Sequence, residues 1–175
     1  MKMCIALLAI LSLSPATAGE EENVSVTARL SHDGVHGGSY VRAALVVSVR
    51  KGWHINSASP SDENLIATSA AFSPPAGLAV GEVRYPRGVT RTFPFSESPL
   101  DVYEGTVVIF LKITASGEVK PGTYALPVEI SYQACNNDVC FAPATATVVI
   151  PVHVLAPDVT PVPRDTGLFG PGAEK

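Results

Sequence analysis

The chain has 175 residues, a length typical of one domain, with 12 basic and 16 acidic side chains and a formal net charge of −4. This acidic balance argues against a nucleic-acid partner, which would require a basic surface. A domain of this size buries roughly 70% of its unfolded surface, so it does not depend on a disulfide in order to fold.

Residues 1–18 are predicted to form a secretory signal peptide. Lys2 supplies the positive start, and residues 5–13 form an apolar core that is too short to cross a bilayer. Ala16-Thr17-Ala18 is a small-residue cleavage site, so the mature chain should begin near Gly19. We therefore expect an exported, periplasmic domain with no membrane span of its own.

Removal of this segment changes the charge and the cysteine count. It carries Lys2 and no acidic residue, which leaves 12 − 1 = 11 basic against 16 acidic side chains, a net charge of −5. It also carries Cys4, so the mature chain keeps Cys135 and Cys140. In an oxidising compartment these two can pair only with each other or with a partner protein.

Alternation of apolar and polar residues dominates residues 19–155 and predicts strands with one buried face. The alternation is strongest in 24–30, 41–49, 106–114, 123–132 and 144–154, and shorter strands are expected around 53–56, 68–72 and 80–84. The connections are rich in Gly, Pro and Ser. The pattern predicts an all-β, immunoglobulin-like antiparallel sandwich.

Residues 156–175 differ in composition from the rest of the chain. They are rich in proline and glycine and have little apolar periodicity. We predict a flexible tail for this segment.

Cys135 and Cys140 lie between two strong strands and enclose the turn-forming sequence Asn136-Asn137-Asp138. This arrangement predicts an exposed disulfide at the tip of a hairpin, where the two Cα atoms can approach within bonding range. An exposed disulfide of this kind can be attacked by another protein's thiolate. Asp138 is the nearest charge and would disfavour a thiolate, so a more activated partner thiol is expected to start the exchange.

A plain stabilising disulfide in a non-catalytic binding module is the main alternative. Closing a loop of about six residues stabilises a fold by only about 2 kcal/mol, which favours exchange over stabilisation. Metal binding is disfavoured because the spacing of Cys135 and Cys140 lacks the usual Cys-x₂-Cys pattern. A copper protein is disfavoured because Met1 and Met3 leave with the signal. We expect no metal and no cofactor.

The sequence resembles the amino-terminal domain family of the disulfide-bond reductase DsbD over about residues 24–154. The most specific part is the Tyr-Gln-x-Cys, short loop, Cys, aromatic, x-Pro pattern at 132–143. Support comes from Lys-Gly-Trp-His-Ile-Asn at 51–56 and from Pro-Arg-Gly-Val at 86–89 leading to Tyr103.

The resemblance implies an immunoglobulin-like periplasmic domain that exchanges thiols and disulfides, as a protein-disulfide reductase does. A thioredoxin-like donor domain of a membrane reductase would reduce it. It would in turn reduce a periplasmic disulfide isomerase or a cytochrome c maturation protein. The chain ends at Lys175 without a transmembrane or thioredoxin-like domain. It would therefore either dock with a separate membrane partner or be a fragment of a larger reductase.

The resemblance also implies roles for single residues. Cys140 would form the mixed disulfides with partners, and Cys135 would be its intramolecular partner. A phenylalanine that caps the pair in the family falls on Phe95, with Phe93 as the alternative.

Near the site, the sequence differs from the family at several positions. Family tyrosines fall on His54 and Asn56, and acidic residues of the cap fall on Phe93 and Pro94. The cysteine loop is one residue shorter. His54, Asn56 and Tyr132 are therefore candidate residues near the site, and His54 is a candidate proton donor or acceptor for the thiols.

Overall fold

The structure is a computed structural model that describes residues 23–62 and 64–170. The predicted signal peptide, residues 1–18, and the predicted start of the mature chain near Gly19 lie outside these residues. No helix among the described residues is long and apolar enough to cross a membrane.

Twelve strands and one short helix make up the described chain. In order they are Val24–Leu30 (β1), Val35–His36 (β2), Tyr40–Val49 (β3), His54–Asn56 (β4), Ser69–Phe72 (β5), Leu78–Arg84 (β6), Val89–Arg91 (β7), Leu100–Tyr103 (β8), Thr106–Ala115 (β9), Gly122–Tyr132 (β10), Ala134–Cys135 (β11), Ala144–Leu155 (β12) and Thr166–Phe169 (α1).

Two four-stranded sheets form an immunoglobulin-like sandwich, which confirms the predicted fold class. The first sheet has the order β1-β3-β9-β6, and the second has the order β2-β12-β10-β5. All pairings in both sheets are antiparallel except the short parallel pair of β2 with β12. The alternating residues of β3, β9, β10 and β12 meet between the sheets, because every second side chain of a strand points to the same face.

Complete burial of large aliphatic side chains marks the centre of this core. Leu45, Ile109, Ile113, Leu126 and Ile150 have no exposed surface. Full burial of each such side chain stabilises the fold by about 1.5–3 kcal/mol. The sandwich therefore has a core of its own, apart from the cysteine pair.

A third sheet, with the order β11-β4-β8-β7, lies at one end of the sandwich. Its strands are two to four residues long, and all of its pairings are antiparallel. Tyr103 of β8 fixes two neighbouring loops: its hydroxyl donates to the carbonyl oxygen of Pro86 at 2.8 Å and accepts from the amide of Ala58 at 3.2 Å. This sheet carries the cysteine pair.

Residues 156–170 differ from the predicted flexible tail, because they pack against the sandwich. Backbone hydrogen bonds join Asp33 to Val162 and Arg164 to Ser31. At the end of the segment, Phe169 of α1 is only 4% exposed and lies edge-on to Phe110, with 6.1 Å between ring centres. The Arg42 guanidinium lies 5.5 Å from the centre of the Phe169 ring and donates to its carbonyl oxygen at 2.6 Å.

The reason for this difference is a single buried aromatic residue with several backbone contacts. The composition of residues 156–175 predicted a flexible segment. One Phe can nevertheless bury enough apolar surface to hold a short segment in place when a cation and a second aromatic ring pack against it. Residues 171–175 of the predicted tail lie outside the described residues.

Candidate functional site

Cys135 and Cys140 form a disulfide in a small hairpin of their own. The hairpin formed by β10 and β12 ends at the Tyr132–Ala144 pair, and residues 134–141 continue beyond it as a separate turn, here called the cysteine hairpin. The two cysteines pair as an antiparallel bridge with their Cα atoms 4.0 Å apart.

The turn of the cysteine hairpin is fixed by Asn136. Its backbone amide donates to the carbonyl oxygen of Val139 at 3.0 Å. Its side-chain oxygen accepts from the backbone amides of Asp138 and Val139 at 2.9 Å each. An asparagine side chain that bonds its own backbone two residues ahead is a typical turn former, as predicted for this sequence. These hydrogen bonds hold the turn that brings the two cysteines together.

The two cysteines differ in exposure, and here the prediction of an exposed pair was wrong for one of them. Cys135 has no exposed surface, because β11 pairs with β4 inside the third sheet. Cys140, on the outer side of the cysteine hairpin, is partly exposed. Its neighbours Val139 and Phe141 are 50% and 47% exposed. Cys140 is therefore on the exposed side of this bond, and Cys135 is on the buried side.

A polar relay attaches the cysteine hairpin to the rest of the third sheet. The side chain of Gln133 donates to the carbonyl oxygen of Phe141 at 3.1 Å and accepts from the Asn56 amide at 3.2 Å. Asn56 also donates to the carbonyl oxygen of Ile66 at 3.0 Å. Asn56 is therefore connected to the hairpin through Gln133. Gln133 is thus a residue of the site for which the sequence predicted no role.

An aromatic stack, formed by His54, Phe93 and Phe95, lies on the other side of Cys135. The His54 and Phe93 rings are 4.0 Å apart and nearly parallel, and the Phe93 and Phe95 rings follow at 5.2 Å. Phe93 is buried with Leu100 and Val102, whereas Phe95 is 39% exposed. The two candidate cap residues therefore form successive layers on one imidazole, with Phe93 on the inside.

The position of the stack follows from strand register. Cys135 of β11 lies directly opposite His54 of β4, and opposite residues of an antiparallel pair project their side chains to the same face with Cβ atoms about 4.5–5.5 Å apart. The loop between β7 and β8, residues 92–99, here called the cap loop, brings both phenylalanines to that imidazole. Trp53, which precedes β4, packs against the core and also contacts Phe141 at 4.9 Å between ring centres.

Tyr132, the last candidate, lies at the end of β10. It is 7% exposed and belongs to the core of the sandwich. It therefore supports the base of the cysteine hairpin from within.

The imidazole of His54 is almost fully buried, with 2% of its surface exposed. Burial lowers the pKa of His54 from its ordinary value near 6.5, and the smaller opposing effect of the Glu104 carboxylate raises it. Glu104 itself accepts two hydrogen bonds from Arg91, at 2.9 and 3.1 Å. His54 is therefore neutral near pH 7 and has one ring nitrogen free to accept a proton.

This pKa shift predicts a pH dependence of stability. The unfolded chain binds a proton at His54 below about pH 6.5, while the folded chain resists it, so the free energy of unfolding should fall as pH drops below about 6.5. Above that pH His54 is neutral in both states and contributes no slope. Urea unfolding at several pH values should show this loss, and His54→Phe should flatten the curve in that window. A variant with the wild-type slope would contradict the prediction.

Among the described residues, no group of three His, Cys, Asp or Glu side chains is arranged to hold a metal ion. The groups that the structure brings together at this site are the two sulfurs, the buried imidazole of His54 and the two phenylalanine rings of the cap loop.

Comparison with known proteins agrees with this geometry. Residues 22–151 match the family model for the thiol:disulfide interchange protein DsbD, N-terminal. The chain belongs to the DsbD N-terminal domain family. None of the curated proteins matches this sequence.

Solved structures that resemble this chain include the N-terminal domains of two proteins, ScsB and DsbD. The N-terminal periplasmic domain of ScsB from Proteus mirabilis is 17% identical with a TM-score of 0.55, and the match covers 82% of this chain and 52% of that chain. This chain thus spans about half the length of the ScsB domain. The reduced DsbD n-terminal domain of Neisseria meningitidis is 14% identical with a TM-score of 0.43, and the match covers 71% and 86% of the two chains.

Proposed function

We propose that this domain is a periplasmic electron carrier that works by thiol–disulfide exchange through Cys135 and Cys140. It accepts an electron pair from a thioredoxin-like donor domain of a membrane reductase. It delivers the pair to periplasmic thiol proteins, such as a disulfide isomerase or a cytochrome c maturation protein. Export by residues 1–18 would place it in the compartment where such partners work.

The main support for this proposal is the difference in solvent exposure between Cys140 and Cys135. Cys140 is partly exposed beside the apolar surface of Val139 and Phe141, whereas Cys135 has no exposed surface. Partner thiolates would therefore attack Cys140, and Cys135 would open and close the bond from inside. This matches the roles that the family resemblance implies for the two residues.

The exchange balances as follows. A donor thiolate attacks the sulfur of Cys140, and the Cys135–Cys140 bond breaks so that Cys135 leaves as a thiolate and takes up a proton. The donor's second thiol then loses a proton and attacks the donor sulfur of the mixed disulfide, so that Cys140 leaves as a thiolate and takes up that proton. The domain has gained two electrons and two protons, and the donor has become a disulfide.

The cap loop supports the proposal, because a reduced dithiol in an oxidising compartment loses its electrons to any oxidant that reaches it. Phe93 and Phe95 lie over the imidazole beside Cys135, where they can limit access. We propose that the loop shields the reduced pair until a partner displaces it.

The competing function is a non-catalytic binding module whose disulfide only stabilises the hairpin. The two functions differ in redox potential, because structural disulfides typically lie below about −300 mV and a carrier should be more readily reduced. We expect a redox titration of the mature domain against glutathione, read out by thiol trapping, to place the pair above that value. A disulfide that remains intact at a glutathione poise near −300 mV would contradict the proposal and support the binding module.

A further inference from the structure

The buried imidazole of His54 has a ring nitrogen without a partner. Its Nε2 atom is inaccessible to solvent and finds no hydrogen-bond partner among the described residues. A buried polar atom without a partner costs about 1–3 kcal/mol. Such atoms are rare in folded proteins, so this one calls for a functional explanation.

Among the strand neighbours of His54 and the ring stacked on it, Cys135 is the one that can supply a proton to this nitrogen. Phe93 covers one face of the imidazole and offers no donor. Across the sheet, extending the β4–β8 register by one residue places Glu104 opposite His54, and its carboxylate is already bonded by Arg91. On the remaining side is Cys135, at the position directly opposite on β11.

A cleft of about 390 Å³ reaches His54 from the surface. His54 lines it together with Glu104, Asn137 and the basic residues Arg50 and Lys51. The charged groups that share this cleft with the imidazole are therefore one carboxylate and two cations. The cleft provides a route by which a proton held on His54 can exchange with solvent.

The redox state decides whether the nitrogen has a donor. In the disulfide, the sulfur of Cys135 carries no proton to donate. In the reduced pair, Cys135 carries a thiol, which is a weak donor. Reduction of Cys135 therefore creates a donor at the position directly opposite His54.

We propose that His54 accepts the proton of the Cys135 thiol when Cys135 attacks a mixed disulfide on Cys140, and returns it when the bond is opened. This inference rests on the proposed carrier function and assigns the residue that moves the proton. Neither the family match nor the similar structures name such a residue, and the resemblance implies a tyrosine at this position.

The step balances in atoms and electrons. The proton of Cys135 moves to Nε2 of His54, and the Cys135 sulfur forms a bond with the Cys140 sulfur. The bond between Cys140 and the partner sulfur breaks, and the partner leaves as a thiolate. Cys135 is oxidised, the partner sulfur is reduced, and the imidazolium releases its proton into the cleft.

A proton acceptor is needed here because Cys135 is buried. A thiolate without access to water is costly to form, and the cysteine hairpin contains no Lys or Arg to stabilise one. Asp138, the one charge in the turn, disfavours it further. Transfer to a neutral imidazole during the attack avoids a free buried thiolate.

The test is the rate of the second step in the reaction of the reduced domain with the chromogenic disulfide dithiobis(nitrobenzoate). The first equivalent of coloured thiolate reports attack by Cys140, and the second reports ring closure by Cys135. We expect His54→Phe, which keeps a flat ring against Phe93, to slow the second step about 100-fold at pH 7 and leave the first unchanged. In the variant, the rate of the second step should also rise with pH over the range in which the wild-type rate no longer depends on pH.

His54→Gln is the second variant, because its amide can accept a hydrogen bond but cannot take the proton. It should be as slow as His54→Phe. His153→Phe is the matched control, since His153 is exposed on β12, and it should behave as wild type. Unchanged second-step rates in both His54 variants would overturn the inference while leaving the carrier function intact. Failure of the wild type to release any coloured thiolate would overturn the carrier function itself.

A measurement on the wild-type protein completes the test if the variants do not fold. The ring nitrogens of His54 should change their NMR shifts when the pair is reduced, because Nε2 gains a donor, and those of His153 should not. Identical His54 shifts in the two redox states would contradict the inference.

Discussion

Replacing Cys140 with serine is expected to abolish the trapping of a mixed disulfide with a thioredoxin-like domain. Replacing Cys135 with alanine should preserve it. In Cys135→Ala the remaining thiol is the partly exposed one, and no internal sulfur is present to release the partner. In Cys140→Ser the remaining thiol has no exposed surface and can react only after the third sheet opens locally.

The expected difference in trapping rate between the two variants depends on the free energy of opening the third sheet. Local unfolding of a short sheet that costs about 3 kcal/mol would make Cys135 reactive in roughly one molecule in a hundred, so trapping should be slower by a factor of about 100 or more. Adducts can be counted on a non-reducing gel after mixing with a donor domain that lacks its resolving cysteine. The double variant Cys135→Ala/Cys140→Ser supplies the background. Efficient trapping through Cys135 alone would reverse the assigned roles.

The sandwich could be predicted from sequence because its strands are long and carry a strict two-residue alternation. The residues of β3 that alternate from Val41 to Val49 are the ones that the structure buries between the sheets. The same is true of Ile109 and Ile113 in β9. A buried face repeated over ten residues leaves little freedom of register, so a local pattern is sufficient.

The third sheet could not be predicted in the same way. Its strands β7 and β11 have three and two residues, too few for a periodic signal. They exist because residues distant in the chain meet, as when Ala134 pairs with Ile55. Sequence reasoning therefore found the cysteines, but not the pairing with β4 that buries Cys135.

The family resemblance predicted which residues lie near the cysteines, but it did not predict their contacts, because those contacts depend on the tertiary structure. His54 was expected near the thiols, and the register now places it opposite Cys135. Glu104 and Gln133 received no role from the sequence, because each is a common polar residue whose significance depends on a partner across the sheet. Gln133 lies inside the Tyr-Gln-x-Cys motif, which is the one local signal that could have pointed to it.

Removing either phenylalanine of the cap loop is expected to speed oxidation of the reduced pair by small disulfides, and the inner ring should matter more. Phe95→Ala removes the outer layer of the stack, an interaction worth about 1 kcal/mol, so the open fraction of the loop and the oxidation rate should rise about fivefold. Phe93→Ala also empties the small cluster with Leu100 and Val102. A buried Phe→Ala change costs about 3–5 kcal/mol, so this variant should leave the loop mostly undocked.

The order of the two effects separates a cap from ordinary packing. The rates can be measured by mixing the reduced domains with oxidised glutathione and trapping free thiols over time. Tyr40→Ala serves as the control, because Tyr40 is a 55% exposed ring on the first sheet and its loss should not change the rate. If Phe93 and Phe95 only anchor a loop, both variants would oxidise at the wild-type rate. If the loop is a cap, the oxidation rate should rise more in the variant that loses more of the free energy of docking. The increase should therefore be larger for Phe93→Ala than for Phe95→Ala.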